Sequence, residues 1–119
     1  MIIQLEDAKY KLTNMRADIN ELASALRIEQ LKNEIAEDEK TTTDPEFWND
    51  AENSSRVLQK IKQKKDRVAG WEALRDKLED AIVLAEMGIE ENDESVVPEV
   101  ESELRDIEKE EERQRIEVL

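Results

Sequence analysis

The chain has 119 residues, 18 of them basic and 32 acidic, for a formal net charge of −14, with no Cys, no His, two Gly and two Pro. The missing thiols and imidazoles exclude a disulfide scaffold, a zinc finger, a Cys or His nucleophile and a His general base, leaving carboxylates as the only metal ligands. So few Gly and Pro cannot turn a chain back repeatedly between short strands, and Glu, Lys, Leu, Ala and Arg dominate, so the fold class is all-α.

In chain order, Leu5, Ala8, Leu12, Met15, Ile19, Leu22 and Leu26 recur at alternating intervals of three and four, the spacing of one helix face turned toward a partner. Ile28, Leu31 and Ile35 keep that spacing but are offset by two residues, which predicts a kink or break near Ala25 to Ile28. The next places of this second set are Asp38 and Thr42, both polar, within reach of the β-branched run Thr41 to Thr43, so the helix is expected to end close to Lys40. Asp44-Pro45-Glu46-Phe47-Trp48-Asn49-Asp50 then reads as a helix start: Asp44 can accept from free amides of the first turn, Pro45 lacks an amide where none is needed, and Glu46 suits the positive end of the dipole. Phe47 and Trp48 are expected to plug the end of the bundle.

Asp50 can cap a second start, and Val57, Leu58, Ile61, Val68, Trp71, Leu78, Ile82, Ala85 and Ile89 form the stripe of a long helix, nearly 40 residues and on the order of 55 Å. Gly88 followed by the polar run Glu90 to Glu94 predicts a turn at the tip of a helical hairpin. Ser95 is the expected cap of the returning helix, because it places Pro98 at the third helical position, where no intrahelical amide bond is required. Val97, Val100, Leu104 and Ile107 continue the seam, which weakens at Glu111 and Gln114. Ile116, Val118 and Leu119 close the sequence with apolar residues and no stop signal, as expected of a chain cut from something longer.

A mean hydropathy of −0.81 and 42% charged residues approach the composition of disordered chains. Leu, Ile, Val and Phe nevertheless make up 29 residues, about a quarter of the chain, above the roughly 20% level at which disorder is the default. A single elongated domain over residues 1–119, an antiparallel helical bundle or coiled-coil hairpin, reconciles the two, since each helix buries a narrow stripe and leaves the rest in water. No segment has the roughly 18 consecutive apolar residues of a membrane span, and Met1 to Tyr10 lacks the layout of a signal peptide, so a cytoplasmic location without membrane partners is expected. The negative charge disfavours free DNA, free RNA and anionic lipid as partners.

Six basic residues, Arg56, Lys60, Lys62, Lys64, Lys65 and Arg67, stand against one acid, Asp66, in a single stretch. Two readings are open: a contact to ribosomal RNA or an acidic protein, or pairing with the acidic stretch Glu99 to Glu112, which the hairpin would bring alongside. Helix-flank charges are usually solvated or paired with neighbours, which favours the second. The acid clusters Glu90 to Glu94 and Glu108 to Glu112 point in different directions along a helix and lack calcium-site spacing, so no metal and no cofactor is expected. Trp71 and Tyr10 are expected in the core or seam. No Gly-rich phosphate loop, nucleophile elbow or pKa-splitting carboxylate pair is present, so the chain is not expected to be an enzyme.

The string Asp44 to Asp50, with helices before it and a long helix after it, resembles the amino-terminal domain of the bacterial peptide chain release factor 2 family. The resemblance extends over essentially the whole chain, through Leu26-x-Ile28-Glu29, through Trp71-Glu72 with Leu74, and through the acidic tip. Three positions depart from the family pattern: Arg27 stands where relatives carry a capping Asp, and Asp38 and Thr42 stand where they carry Leu and Met, which would loosen the end of the second helix. The resemblance implies a piece of a translation terminator whose complete members read UAA or UGA through a Ser-Pro-Phe loop and trigger peptidyl-tRNA hydrolysis through a Gly-Gly-Gln loop. Neither tripeptide occurs between Met1 and Leu119. It further implies docking to the stalk base of the large ribosomal subunit, with Ile89, Glu90, Glu91, Asn92, Asp93 and Glu94 as the candidate protein contact. The competing class is an autonomous acidic coiled coil that forms a homodimer through the same seams.

Overall fold

The computed structural model describes residues 1–118. Four helices, α1 (Ile3–Leu26), α2 (Ile28–Thr41), α3 (Ala51–Glu90) and α4 (Val97–Ile116), are joined by two 3-10 turns, Pro45–Asn49 and Glu94–Val96, and no strand occurs among the described residues. The 40 residues of α3 make a rod of about 60 Å at ~1.5 Å per residue, nearly the length of the whole molecule, which measures 65 × 26 × 18 Å. The other three helices pack along it. Leu5 lies beside Gly88, Arg16 beside Glu79 and Ile19 beside Trp71, so α1 runs antiparallel to the second half of α3. Gln114 reaches Gly70 and Lys77 faces Glu103 and Asp106, so α4 runs back along that same half. Along most of the first half of α3 the neighbouring helix is α2, through Lys64 to Asp38 and Lys65 to Glu39, with Gln114 and Glu117 reaching only its last residues, Gly70 and Arg67.

The seven spaced apolar residues of α1 are all buried. With Leu74, Leu78, Ile82, Val100 and Ile107 they form a continuous core in which water reaches almost no side-chain carbon. The seams are thus closed within one chain. Trp71 is buried in this core and its indole N–H donates to the carbonyl of Ile19 at 3.0 Å. Tyr10 is not in the seam: it is 68% exposed, because two residues before Leu12 is about 200° around the helix, the face opposite the partners. Leu58 is likewise exposed, since with α2 alone beside this part of α3 the contact falls on Val57 and Ile61 instead.

The break between α1 and α2 occurs at Arg27, in the left-handed conformation with φ 59°. A non-glycine residue there costs about 1 kcal/mol, and no side chain caps the new helix, so the next residue holds the break in place: Ile28 restarts the helix and is buried in the core. At the far end of α2, Asp38 does not loosen the helix. Its carboxylate accepts from Lys64 Nζ at 2.7 Å, with Glu34 at 3.7 Å from the same nitrogen, so an ion pair stands where an apolar contact would be.

Three further expectations change. Asp44 does cap a start, accepting from the Glu46 amide at 3.0 Å, but the element is a 3-10 turn, and it is Asp50, accepting from the Asn53 amide at 3.1 Å, that begins the long helix. Phe47 and Trp48 do not plug the bundle. They meet edge to face at 5.0 Å, and the Trp48 indole N–H donates to the Thr42 carbonyl at 3.1 Å, which holds a 54% exposed ring over the turn rather than in the core. The basic run pairs only in part, Lys64 and Lys65 with α2 and Lys62 with Asp66 of its own helix, and not with Glu99 to Glu112: Gln114 of α4 already lies at Gly70, so that acidic stretch sits opposite the second half of α3 and cannot reach it. Ile116 and Val118 are exposed, and Leu119 lies outside the described residues.

Candidate functional site

The tip at Ile89 to Glu94 is built by three chain segments meeting: the end of α3, the start of α4 and the first turn of α1. The residue that turns the chain is Asn92, with φ 51°, a left-handed conformation that Asn adopts more readily than most residues. The Asp93 amide donates to the Gly88 carbonyl at 2.8 Å and the Asn92 amide to the Ile89 carbonyl at 3.2 Å, the pair of bonds of a Schellman closure, so the last carbonyls of α3 are satisfied internally. Gly88 therefore does not make the turn. It stays helical and buried because a Cβ there would lie 2.5 Å from Val96 Cγ2 and 2.8 Å from Leu5 Cδ1, so its missing side chain lets α1 and the returning chain close over α3.

Ser95 does not cap α4, which starts after Val96 without a side-chain cap; the cap is Asp93, and it serves the 3-10 turn Glu94–Val96 that precedes the helix. Its carboxylate accepts from the Ser95 amide at 2.9 Å and the Ser95 hydroxyl at 2.6 Å. Hydrogen bonding by that hydroxyl, then by the amide, holds the carboxyl below the usual Asp range. An Asp93 cap is compatible with Pro98 because the 3-10 turn Glu94–Val96 intervenes before α4 begins at Val97, which leaves Pro98 in the first helical turn. Of the six tip residues, Ile89 packs against the core and Asp93 is engaged as the cap, so Glu90, Glu91, Asn92 and Glu94 form the solvent-facing surface. The arrangement is a closed acidic knob.

Two residues beside the tip were not legible as a surface. Val83 and Met87, one turn apart on α3, are 53% and 52% exposed. They fall off the apolar stripe, and that misfit was the only signal available. The string Asp44 to Asp50 lies at the opposite end of α3, so the structure does not bring it to the tip. Elsewhere, Glu79 and Glu110 are held below the usual Glu range by hydrogen bonds from Arg16 and Arg113. Both are ion pairs between or along helices. A groove of about 470 Å³ between α1 and α4 has Met15 and Leu104 in its floor and Lys11, Asp18, Glu108 and Arg115 on its rim.

The PCRF domain family profile matches residues 31–119. The chain is 31% identical over its full length to peptide chain release factor 2 of Clostridium perfringens strain SM101, of which it covers 32%. It is 28% identical to peptide chain release factor 2 of Chloroflexus aggregans and 27% identical to that of Staphylococcus epidermidis, in each case over 98% of this chain and about a third of the relative, 30% and 32%. The chain thus spans about a third of the length of the curated relatives it matches. No solved structure matches it. With the profile covering three quarters of the chain, from the first turn of α2 onward, the protein belongs to the PCRF domain family.

Proposed function

We propose that the chain is the amino-terminal helical module of a class I peptide chain release factor, which docks and orients the factor on the ribosome. The observation that carries this reading is the closed acidic tip at the end of a 65 Å rod, with Glu90, Glu91 and Glu94 displayed on a turn whose backbone bonds are satisfied internally. Such a knob suits a basic protein surface, and the stalk base of the large subunit is the proposed partner. Codon reading at UAA or UGA and peptidyl-tRNA hydrolysis belong to the complete factor, whose Ser-Pro-Phe and Gly-Gly-Gln loops are not in this sequence. In this reading the chain is cytoplasmic and contributes position, not catalysis.

Cosedimentation with 70S ribosomes tests it. The chain is expected to pellet with ribosomes, and Glu90→Lys/Glu91→Lys/Glu94→Lys to stay in the supernatant while keeping its helical circular dichroism. Equal pelleting of the two proteins would overturn the docking role of the tip. Release of formylmethionine from ribosome-bound initiator tRNA by the chain alone would overturn the non-catalytic assignment.

A further inference from the structure

The first half of α3 carries a surface that neither the core nor the tip uses. α2 covers one side of it. On the flank beside α2 runs an open groove of about 350 Å³ lined by Leu31, Lys60, Gln63, Lys64 and Arg67. A second stretch of about 360 Å³, sharing Gln63 and Arg67, continues it past Gly70 to Gln114 of α4, with Asp66 and Glu117 on its rim beside Arg67 and Arg113.

Charge is distributed unevenly over this surface. Lys64 and Lys65 are paired with α2 carboxylates, and Lys62 with Asp66 at 2.6 Å. Arg56 donates to the neutral Asn53 amide oxygen at 2.8 Å, Lys60 has no carboxylate partner among the described residues, and the nearest carboxylate oxygen to Arg67 is that of Glu117 at 4.0 Å. At 3.6 residues per turn, positions 56, 60 and 67 fall within an arc of about 40°, spread over roughly 16 Å of helix. Three incompletely neutralised cations thus stand in a row on a molecule of net charge −14.

Gln114 adds an independent sign. The residue is 3% exposed, and its Nε2 donates to the Gly70 carbonyl at 3.0 Å and to Glu110 Oε1 at 3.1 Å. Both partners are acceptors, so the amide cannot be flipped, and Oε1 is left buried with no donor at the end of the groove. A buried acceptor without a donor is costly, and a ligand or its water that donates there removes the cost.

We infer that this flank binds an RNA backbone, with Arg56, Lys60 and Arg67 against successive phosphates and Gln114 Oε1 accepting from a 2′-hydroxyl or a water it holds. RNA carries negative charge and a hydroxyl donor on the same backbone, whereas a helical acidic peptide has its amide donors already bonded. The inference rests on the ribosomal reading above and gives it a second contact. The acidic tip does not oppose it: Glu90 is about 35 Å along the helix from Arg67, several Debye lengths at about 0.1 M salt.

Fluorescence anisotropy of a labelled oligouridylate of about 20 nucleotides, titrated with the whole chain from about 0.05 to 0.3 M salt, tests it. With three phosphate contacts, log K is expected to fall against log salt with a slope of about −2. Arg56→Gln/Lys60→Gln/Arg67→Gln is expected to weaken binding about tenfold or more and to flatten the slope, while Lys62→Gln, a charge loss outside the row, leaves both within about twofold. Circular dichroism shows whether the triple variant is folded, as expected for three surface side chains. Absence of binding at the lowest salt, binding by the folded triple variant equal to that of the parent, or competition by polyglutamate as strong as by unlabelled RNA would each overturn the inference. Equal affinity for the matching oligodeoxyuridylate would overturn the role of Gln114. A chain that pellets with ribosomes through its tip but ignores oligouridylate loses this contact alone; one that does neither loses the docking proposal as well.

Discussion

The two halves of α3 share one helix and differ in what covers them. Along the second half, α1 and α4 enclose the helix from two sides, and Leu78, Ile82 and Ile107 are sealed from water. Along most of the first half the only helix beside it is α2; of the side chains of α2 Ile28 alone is fully buried, and Ile61 of α3 lies outside the continuous core. Ion pairs replace hydrocarbon there, and pairs this exposed contribute little, typically 0–1 kcal/mol each. Stability therefore concentrates at the tip end, where the proposed docking surface needs rigidity. The α2 end has the features of a region that opens locally, and it keeps charge available on its surface.

The largest expected effect separates the two halves directly. Leu78→Ala removes a side chain sealed among three helices and is expected to lower unfolding stability by about 3–5 kcal/mol. Ile61→Ala removes one that a single neighbouring helix covers, with room to collapse, and is expected to cost about 2 kcal/mol or less. Urea denaturation followed by circular dichroism checks both. Equal losses would mean that the halves are equally consolidated and would break the comparison.

The two glycines of α3 sharpen it next. A Cβ at Gly70 would meet only Gln114 Nε2, at 3.8 Å, so Gly70→Ala is expected to stabilise the chain by about 0.5–1 kcal/mol through helix propensity. The same change at Gly88 drives a methyl into Val96 and Leu5 and is expected to destabilise by about 1–2 kcal/mol despite that propensity gain. Opposite signs in thermal denaturation are the outcome to look for. Stabilisation at both sites would show that the tip tolerates expansion and is less tightly closed than its geometry implies.

These contrasts also mark what the amino-acid pattern could and could not reveal. The α1 stripe was legible residue by residue, because all seven of its positions lie on one buried face of a single uninterrupted helix. The break at Arg27 was legible as a phase shift in that stripe, although its left-handed geometry was not, since Arg carries no turn signal. Leu58, Tyr10 and Trp48 misled for one shared reason: a large apolar residue indicates burial only where a neighbour exists to bury it, and spacing within one segment says nothing of where the others end. The tip was located by Gly88 and the polar run, but its division of labour was hidden. A 3-10 turn capped by Asp93 precedes α4 and leaves Pro98 in the first turn of an α4 without a side-chain cap, and propensity does not distinguish this path from a direct start at Ser95. Likewise the partner of the basic run depended on how far α4 returns, which charge counting cannot supply.

The smallest effect is a pH signature that assigns opposite ends of the scale to the two halves. The Asp93 carboxyl is held below its ordinary value by the Ser95 hydroxyl and amide, so its ionised form is favoured by the fold. Its contribution is complete above the unfolded Asp value of about 3.9 and is lost as pH falls through the lower folded value. Lys64 is shifted the other way: the hydrogen bond to Asp38, reinforced by the charges of Asp38 and Glu34, outweighs desolvation and raises its pKa. Its contribution is complete below the unfolded Lys value of about 10.4 and is lost as pH rises through the folded one. The stability gap between the parent and Asp93→Ala should therefore be level at neutral pH and close in acid, whereas the gap between the parent and Asp38→Asn should close as pH rises through the folded Lys64 value. Thermal denaturation of the three proteins from about pH 3 to 11 reads both. A gap for Asp38→Asn that stays constant up to the alkaline end would mean that Lys64 draws its stabilisation from Glu34 or from packing of its stem, and the α2 end would then be held by something other than the pair that takes the place of its seam.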